Sequence, residues 1–389
     1  MKKVLWLSSW YPNRSEPLAG DFIERHAMAA ATLNRVHVLF VTKDNSGPPG
    51  LKLEMRKYGN GSGATIRYYK PWLPSGKLES FLSGIRYFFI FRSLLAQHIR
   101  REGRPDLVHV HICFRAGLLG LYCHYRYGIK YIVSEHWSIF SPDARDAFEK
   151  KTFLLRWTVG KIYRHAAGST AVSAQLSAAL VRKFDIDPPV VLPNVVDSSK
   201  FFPGQHSHSL FRFIHISTLS YQKNPEQIVD ALAMLKERTT IPFELVIYGP
   251  PRKDIQKYAE QKGLSALIDF RGEVNHDEIA LQIRHSAALI LFSRFETFGC
   301  VVAEALVSGV PVIVSDIAVM KELVTDFKNG ILVPADRPDT LAGKMRWMIV
   351  NRYRFSSEII SAEAGRKYGI SRIAGLFDSF YNKVTRSIT

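Results

Sequence analysis

The sequence predicts an α/β protein built from two consecutive doubly wound domains. Three observations lead there. The chain has 389 residues, too many for one hydrophobic core and suited to two domains. Short apolar runs alternate with longer stretches of helical spacing, the pattern of a parallel sheet covered by helices. After a polar break near residue 200 the whole alternation starts again.

In the first half, Val4–Leu7, Val36–Val41, Ile66–Tyr69, Leu107–Val110 and Tyr131–Ser134 read as buried strands, with helices over Asp21–Leu33 and Leu78–Arg100. The second half offers strands at Phe211–Ile216, Glu244–Tyr248, Leu267–Phe270, Ala288–Phe292, Val312–Ser315 and Ile331–Val333. Helices fit at Pro225–Lys236, Asp254–Gln261, Asp277–His285, Thr297–Ser308 and Met320–Thr325. The stretch Ser198–Ser209, polar and carrying Pro203 and Gly204, reads as the linker. The expected domains are 1–200 and 201–371. In such sheets ligands bind beyond the carboxyl ends of the strands, and two such domains place a cleft between them.

Composition narrows the class. With 47% hydrophobic and 22% charged residues the chain reads as an ordinary folded protein. Its three cysteines, Cys113, Cys123 and Cys300, form no CxxC pair and are expected reduced, in a cytoplasmic setting. Val4–Leu7 is too short for the core of a signal peptide and reads as a first strand. Phe81–Gln97, the most apolar stretch, is broken by Arg86 and Arg92 and falls short of a membrane span. Residues 1–200 hold 29 Lys and Arg against 15 Asp and Glu, and residues 201–389 hold 23 against 20. The net +17 therefore sits mostly in the first half, which suits polyanions or an anionic membrane surface.

The most informative segment is FSRFETFGCVVAEALVSGVPVIVSD, residues 292–316. A strand runs into a loop, and a helix opens near Phe298 and closes at Gly309. The first amides of a helix lack internal partners and carry partial positive charge. Gly299 lets an anion approach them, so a phosphate fits there. Glu296 precedes that helix and Glu304 lies within it, a separation that suits two carboxylates gripping different hydroxyls of one extended ligand.

Here the sequence resembles family 4 of the retaining GT-B glycosyltransferases, also called glycosyl transferases group 1. The family's Glu, Phe-Gly, second Glu and Ala-x-x-x-Gly-x-Pro appear as Glu296, Phe298-Gly299, Glu304-Ala305, Gly309 and Pro311. The resemblance implies a GT-B fold, two Rossmann-like domains facing a central cleft, with residues 372–389 returning to an acceptor-binding first domain. It implies a glycosyltransferase of the hexosyl type that uses a nucleotide-diphosphate sugar such as a UDP-sugar, with no cofactor and no essential metal. Glu296 would bind the donor sugar, Phe298 and Gly299 would offer amides to sugar or phosphate, and Glu304 would hold the ribose. Lys223 stands in the position of the cation that neutralises the diphosphate. Thr218 replaces the family's arginine, and Arg294 or another arginine would have to substitute. His136, just past a strand end, corresponds to a histidine facing the donor sugar, and Gly20 to a glycine loop near donor phosphate or acceptor, with Arg25 a lesser candidate. Asn194 and Asp197 correspond to a Pro-Asn-x-x-Asp near the hinge. Gly249-Pro250-Pro251 stands where the family has Gly-x-Gly, and Ala318-Val319 replaces a Gly-Gly pair.

Other readings compete. His109 and His111 share a strand face, which would suit a metal, but no carboxylate or cysteine completes a site; His111 reads better as lining the cleft. Leu78–Arg100, with Phe81, Ile85, Phe88, Leu95 and Ile99 at helical spacing, reads equally as an interfacial helix or a buried one. The acceptor is expected to be a glycan or lipid-linked molecule, in cell-surface polysaccharide synthesis. A degenerate nucleotide-sugar binder, favoured by Thr218, and a nucleotide-sugar epimerase are the alternatives. A dehydrogenase fingerprint is missing after the early strands, and no nucleic-acid-binding module appears.

Overall fold

A computed structural model describes residues 1–44, 52–71, 76–141, 143–204 and 210–386. The chain divides into two compact units. Unit one comprises Met1–Phe140, Phe148–Val195 and Ser371–Thr389; unit two comprises Ser141–Ala147 and Val196–Ile370.

Unit one is built on strands β1 (Lys3–Ser8), β2 (Arg35–Lys43), β3 (Lys52–Gly59), β4 (Ser62–Tyr69), β5 (Leu107–His111), β6 (Tyr131–Glu135), β7 (Ser169–Ala171) and β8 (Val190–Val191). They form one sheet in the order β3-β4-β2-β1-β5-β6-β7-β8, parallel throughout except for the antiparallel pair β3 and β4. Helices α1 (Asp21–Ala31), α2 (Lys77–Glu102), α3 (Ala116–Tyr127), α4 (Phe153–His165) and α5 (Ala174–Phe184) connect them. The central strands are buried on both faces, hence their near-continuous apolar sequences.

The hairpin of β3 and β4 is absent from the sequence-based expectation. KLEMRKYG alternates polar and apolar residues at a sheet edge, so it offers no apolar run. Its turn was legible: Asn60 and Gly61 have φ of 48° and 69°, as a two-residue turn with both central residues left-handed requires.

Helix α2 resolves the two readings of its aromatic stretch by dividing them. Tyr87, Phe91, Leu94 and Leu95 are buried, while Phe81, Ile85 and Phe89 are exposed. The stripe Phe81, Ile85, Phe88, Leu95 and Ile99 is therefore not one face: only Leu95 of that set is buried.

Unit two carries β9 (Phe211–Ile216), β10 (Phe243–Tyr248), β11 (Ile268–Gly272), β12 (Ala288–Leu291), β13 (Val312–Ser315) and β14 (Gly330–Val333), an all-parallel sheet in the order β11-β10-β9-β12-β13-β14. Renumbered within the unit this is 3-2-1-4-5-6, the Rossmann order. Its helices are α6 (Pro225–Lys236), α7 (Lys253–Gln261), α8 (His276–Arg284), α9 (Cys300–Val307), α10 (Ala318–Leu323), α11 (Pro338–Asn351) and α12 (Ser357–Tyr368). The last helix, α13 (Ile370–Arg386), buries Ile373, Phe377, Tyr381 and Val384 in the core of unit one.

The stretch read as a linker is not a free connection over its described part. Phe201 is fully buried, with its ring 5.0 Å from His276, and Lys200 pairs with Asp277 at 2.5 Å. Residues 205–209 lie outside the described residues. Asp197 caps a turn, accepting from Ser199 N at 2.9 Å.

Candidate functional site

In unit two the strand order reverses between β9 and β12, and it is beyond the carboxyl ends of the strands at such a reversal that doubly wound sheets bind their ligands. The loop after β12 runs from Phe292 to Gly299, and the loop after β9 from Ser217 to Asn224. They are stitched together: Arg294 N donates to Gln222 O at 2.8 Å, and Gln222 Nε2 donates to Phe295 O at 3.0 Å.

These contacts place Lys223 against Glu296. The lysine Nζ donates to Glu296 Oε1 at 2.5 Å, the Ser293 hydroxyl donates to the same oxygen at 2.7 Å, and Gln222 Nε2 reaches Oε2 at 3.3 Å. Glu296 is buried, so its charge is held by this set of donors. The sequence separates the pair by 73 residues; the parallel sheet brings them together.

Helix α9 starts at Cys300, two residues later than the sequence suggests, because Gly299 adopts φ 92° and serves as the N-cap. The amides of Phe298 and Gly299 make no hydrogen bond among the described residues, which leaves them available at a helix N-terminus. Glu304, one turn further on, is buried and accepts from His276 Nε2 at 3.0 Å. His276 was not singled out from the sequence; it belongs to α8, and only the fold delivers it.

Arg294 binds the carbonyl of Tyr221 at 2.6 Å and lies 4.3 Å from the centre of its ring, which also receives Arg145 at 3.5 Å. It thus clamps the Tyr221 turn. Thr218 is exposed, its hydroxyl 3.2 Å from that of Ser220. A cation does reach this loop: Arg252 Nη1 donates to the neighbouring Leu219 carbonyl at 2.6 Å, while Nε binds Asp254 at 2.8 Å. Gly249, at the end of β10, has φ 148°, and a Cβ there would sit 1.8 Å from Ser217 O. Only glycine lets β10 end so close to the Thr218 loop.

In unit one, His136 is buried against Phe22, His26 and His111, with ring separations of 4.8, 5.5 and 5.8 Å. Burial pushes its pKa well down, so the imidazole is neutral. His26 Nε2 bonds Pro193 O at 3.0 Å. His111 is fully buried, stacked 3.9 Å from Trp6, so it lines no surface. His109 bridges Tyr381 and Ser134 at 2.8 and 2.6 Å, which gives it a structural role.

Glu135 proves to be an anchor. Fully buried, it accepts from the amides of Cys113, His136 and Trp137 at 3.2, 2.9 and 3.0 Å and from Tyr163 Oη at 2.9 Å. Burial raises its pKa and those donors oppose the rise. Gly20, φ 72°, is the N-cap of α1, and Asp21, the first helical residue, pairs with Arg25 at 2.9 Å. A Cβ on Gly20 would meet the Trp10 carbonyl carbon at 2.8 Å.

The comparisons with known proteins agree with this architecture. Residues 198–367 match the family Glycosyl transferases group 1, and residues 26–200 match Glycosyltransferase Family 4. A D-inositol 3-phosphate glycosyltransferase of Jonesia denitrificans is 24% identical over 312 residues, 73% of each chain. A lipopolysaccharide 1,6-galactosyltransferase of Salmonella typhimurium is 24% identical over 331 residues, 82% of this chain and 87% of that one. The Anabaena protein HepE, solved with UDP and glucose, shares the fold with a TM-score of 0.72 at 17% identity, over 98% of this chain and 100% of that one. The chain is a glycosyltransferase of the group 1 and family 4 type, with the GT-B fold.

Proposed function

We propose that the enzyme transfers a hexose from a UDP-hexose to a hydroxyl of a glycan or lipid-linked acceptor, retaining the anomeric configuration, in the synthesis of a cell-surface polysaccharide. The observation that carries the donor half is the Lys223–Glu296 pair at the strand-order reversal of unit two, beside the unpaired amides of Phe298 and Gly299. UDP and glucose in the related Anabaena structure favour a UDP-sugar, and the Salmonella relative favours a glycan acceptor.

In this reading Lys223 and the α9 N-terminus take the diphosphate, Glu296 takes sugar hydroxyls and Glu304 takes the ribose. The C1–O bond to the diphosphate breaks and its electron pair leaves with UDP. The acceptor oxygen attacks C1 from the same face, and its proton passes to a leaving phosphate oxygen. The protein supplies electrostatic stabilisation of the leaving group and a fixed sugar; no divalent metal takes part in the step.

Calorimetry with UDP, GDP and their sugars, on wild type and Glu304→Ala, tests the donor site. Binding of a uridine nucleotide that the variant loses supports it. Absence of nucleotide binding would overturn the donor assignment, and nucleotide binding without turnover of any UDP-sugar would instead favour a degenerate nucleotide-sugar binder, the reading that Thr218 favours.

The reading places the enzyme on the cytoplasmic face of a membrane. No helix of the described residues is long and apolar enough to cross one. Unit one, however, exposes Phe81, Ile85 and Phe89 on α2 and Phe153, Leu154 and Trp157 on α4, within a half of the chain carrying 29 cations against 15 carboxylates. Apolar side chains amid positive charge suit an anionic bilayer. Sedimentation with phosphatidylglycerol liposomes tests this; no binding at low salt sinks it.

A further inference from the structure

Unit one has its own reversal of strand order, between β1 and β5. The loops leaving those strands line a cavity of about 440 Å³. It lies where a doubly wound sheet binds ligands. Its walls are aromatic: Trp10 and Trp137 meet edge-on at 6.0 Å, Phe114 stacks on Trp137 at 6.5 Å, and Tyr69 and Tyr87 complete them.

Two groups of the lining lack a polar partner among the described residues, the buried Tyr87 hydroxyl and the exposed Arg115 guanidinium. The Tyr87 hydroxyl is buried and makes no hydrogen bond, although a buried hydroxyl ordinarily finds one. Arg115, its guanidinium 5.9 Å from the Tyr87 ring centre, makes no ion pair among the described residues. The lining includes one further cation, Lys43, 3.5 Å from Glu79, and one carboxylate, the exposed Glu16.

The loop that delivers Arg115 is held in an uncommon shape. Ile112 and Arg115 have φ of 63° and 73°, a region that side-chain-bearing residues seldom adopt. Ser9 Oγ donates to Ile112 O at 2.8 Å and accepts from Ala116 N at 3.1 Å, and Glu135 accepts from Cys113 N. Two strand ends thus fix the loop, and with it Arg115.

We propose that this cavity binds an acidic sugar, bearing a phosphate or a carboxylate, as the unit of the acceptor. The sugar ring lies against Trp10 and Trp137; the acid group takes the Arg115 guanidinium, whose planar fork matches either anion, and a hydrogen bond from the Tyr87 hydroxyl. Aromatic walls with a few convergent polar groups are the usual composition of a small-molecule site. The assignment rests on the glycosyltransfer reading with unit one holding the acceptor.

The test is calorimetry with glucose 6-phosphate, glucuronate and glucose, with UDP as an independent probe of the donor site. In the wild type at least one acidic sugar binds tenfold or more tightly than glucose, and which one separates phosphate from carboxylate. Arg115→Ala keeps the Cβ, and hence the backbone demand, and weakens that binding at least tenfold; Tyr87→Phe weakens it several-fold. Both variants bind UDP as the wild type does, which shows that they fold. Equal binding of glucose and the acidic sugars overturns the proposal, as does acid binding indifferent to both variants, or no acidic sugar bound by a protein that binds UDP. Loss of UDP binding in the wild type, with acidic sugar still bound, would strike the donor reading and leave this site standing.

Discussion

The Lys223 ammonium lies 2.5 Å from Glu296 Oε1, and the carboxylate side chain is 5% exposed against 18% for the lysine. Such a pair is asymmetric. Removing the lysine strands a buried charge, whereas Glu296→Gln removes the charge and keeps the shape. Lys223→Ala is therefore expected to cost stability, at most the roughly 3–5 kcal/mol of a fully buried pair because the lysine is partly wet. Glu296→Gln should fold with a near-native melting temperature and lose about 10²–10³ in kcat if the group acts in the transition state. Thermal melts alongside turnover of a UDP-hexose separate the two; a Glu296→Gln enzyme with full kcat would remove Glu296 from the catalytic set.

Glu304 offers a cleaner binding test. It is buried and bonded to His276, and in the proposed reading its carboxylate also accepts from the ribose hydroxyls. A hydrogen bond to a charged group contributes about 1.5–3 kcal/mol, so Glu304→Ala should raise the Kd of UDP about 10- to 150-fold. Inorganic pyrophosphate, which has no ribose, should bind the variant as it binds the wild type. Equal losses for both ligands would mean that the substitution disturbs α9 rather than a ribose contact.

Much of the donor-side architecture was legible because its signals are local. Glu296, Gly299 and Glu304 lie in one strand-loop-helix segment, and the strands around them are apolar runs. His276 was not legible: it reaches Glu304 from 28 residues away in sequence, by a packing of α8 and α9 that no local pattern encodes. The arginine problem is similar, since Arg252 meets the Leu219 carbonyl only because β9 and β10 end side by side. His111 misled for the opposite reason. Its position at a strand end implied a surface, but Trp6 covers it from the neighbouring strand.

Gly249 sits at that junction of β9 and β10, where a Cβ would be 1.8 Å from a backbone oxygen that has little freedom to move. Gly249→Ala must separate the two strand ends, and the backbone at φ 148° adds strain. The expected outcome is a loss of several kcal/mol, of the order of other overpacking and backbone-strain substitutions, with UDP binding lost at temperatures where the fold survives. The control is Gly343→Ala, in the interior of α11, where a Cβ meets nothing within 4 Å. That change should be neutral or stabilising by up to about 1 kcal/mol. If the two variants melt together, the close approach at Gly249 carries no energetic weight.

The buried imidazoles of unit one make its stability depend on pH in a stated direction. Burial lowers His26 from the ordinary 6.5 to about 4, opposed by its bond to Pro193, and lowers His109, His111 and His136 well below 6.5. Their folded pKa values lie below their unfolded ones, so the neutral forms stabilise the fold fully above about pH 6.5. That stabilisation is lost as the pH falls, because the unfolded chain gains protons that the folded chain refuses. Each such group contributes a slope of about 1.4 kcal/mol per pH unit between its two pKa values. Denaturant midpoints followed by fluorescence should therefore fall steeply from pH 6.5 to pH 5, while changing little from pH 8 to pH 7. His26→Gln keeps a donor for the Pro193 carbonyl and removes one titrating group, so it should flatten the acid slope by about 1.4 kcal/mol per pH unit. A variant with the wild-type slope would show that His26 titrates normally in the folded protein, and would place the acid sensitivity on the other lowered imidazoles, His37 and His98 among them.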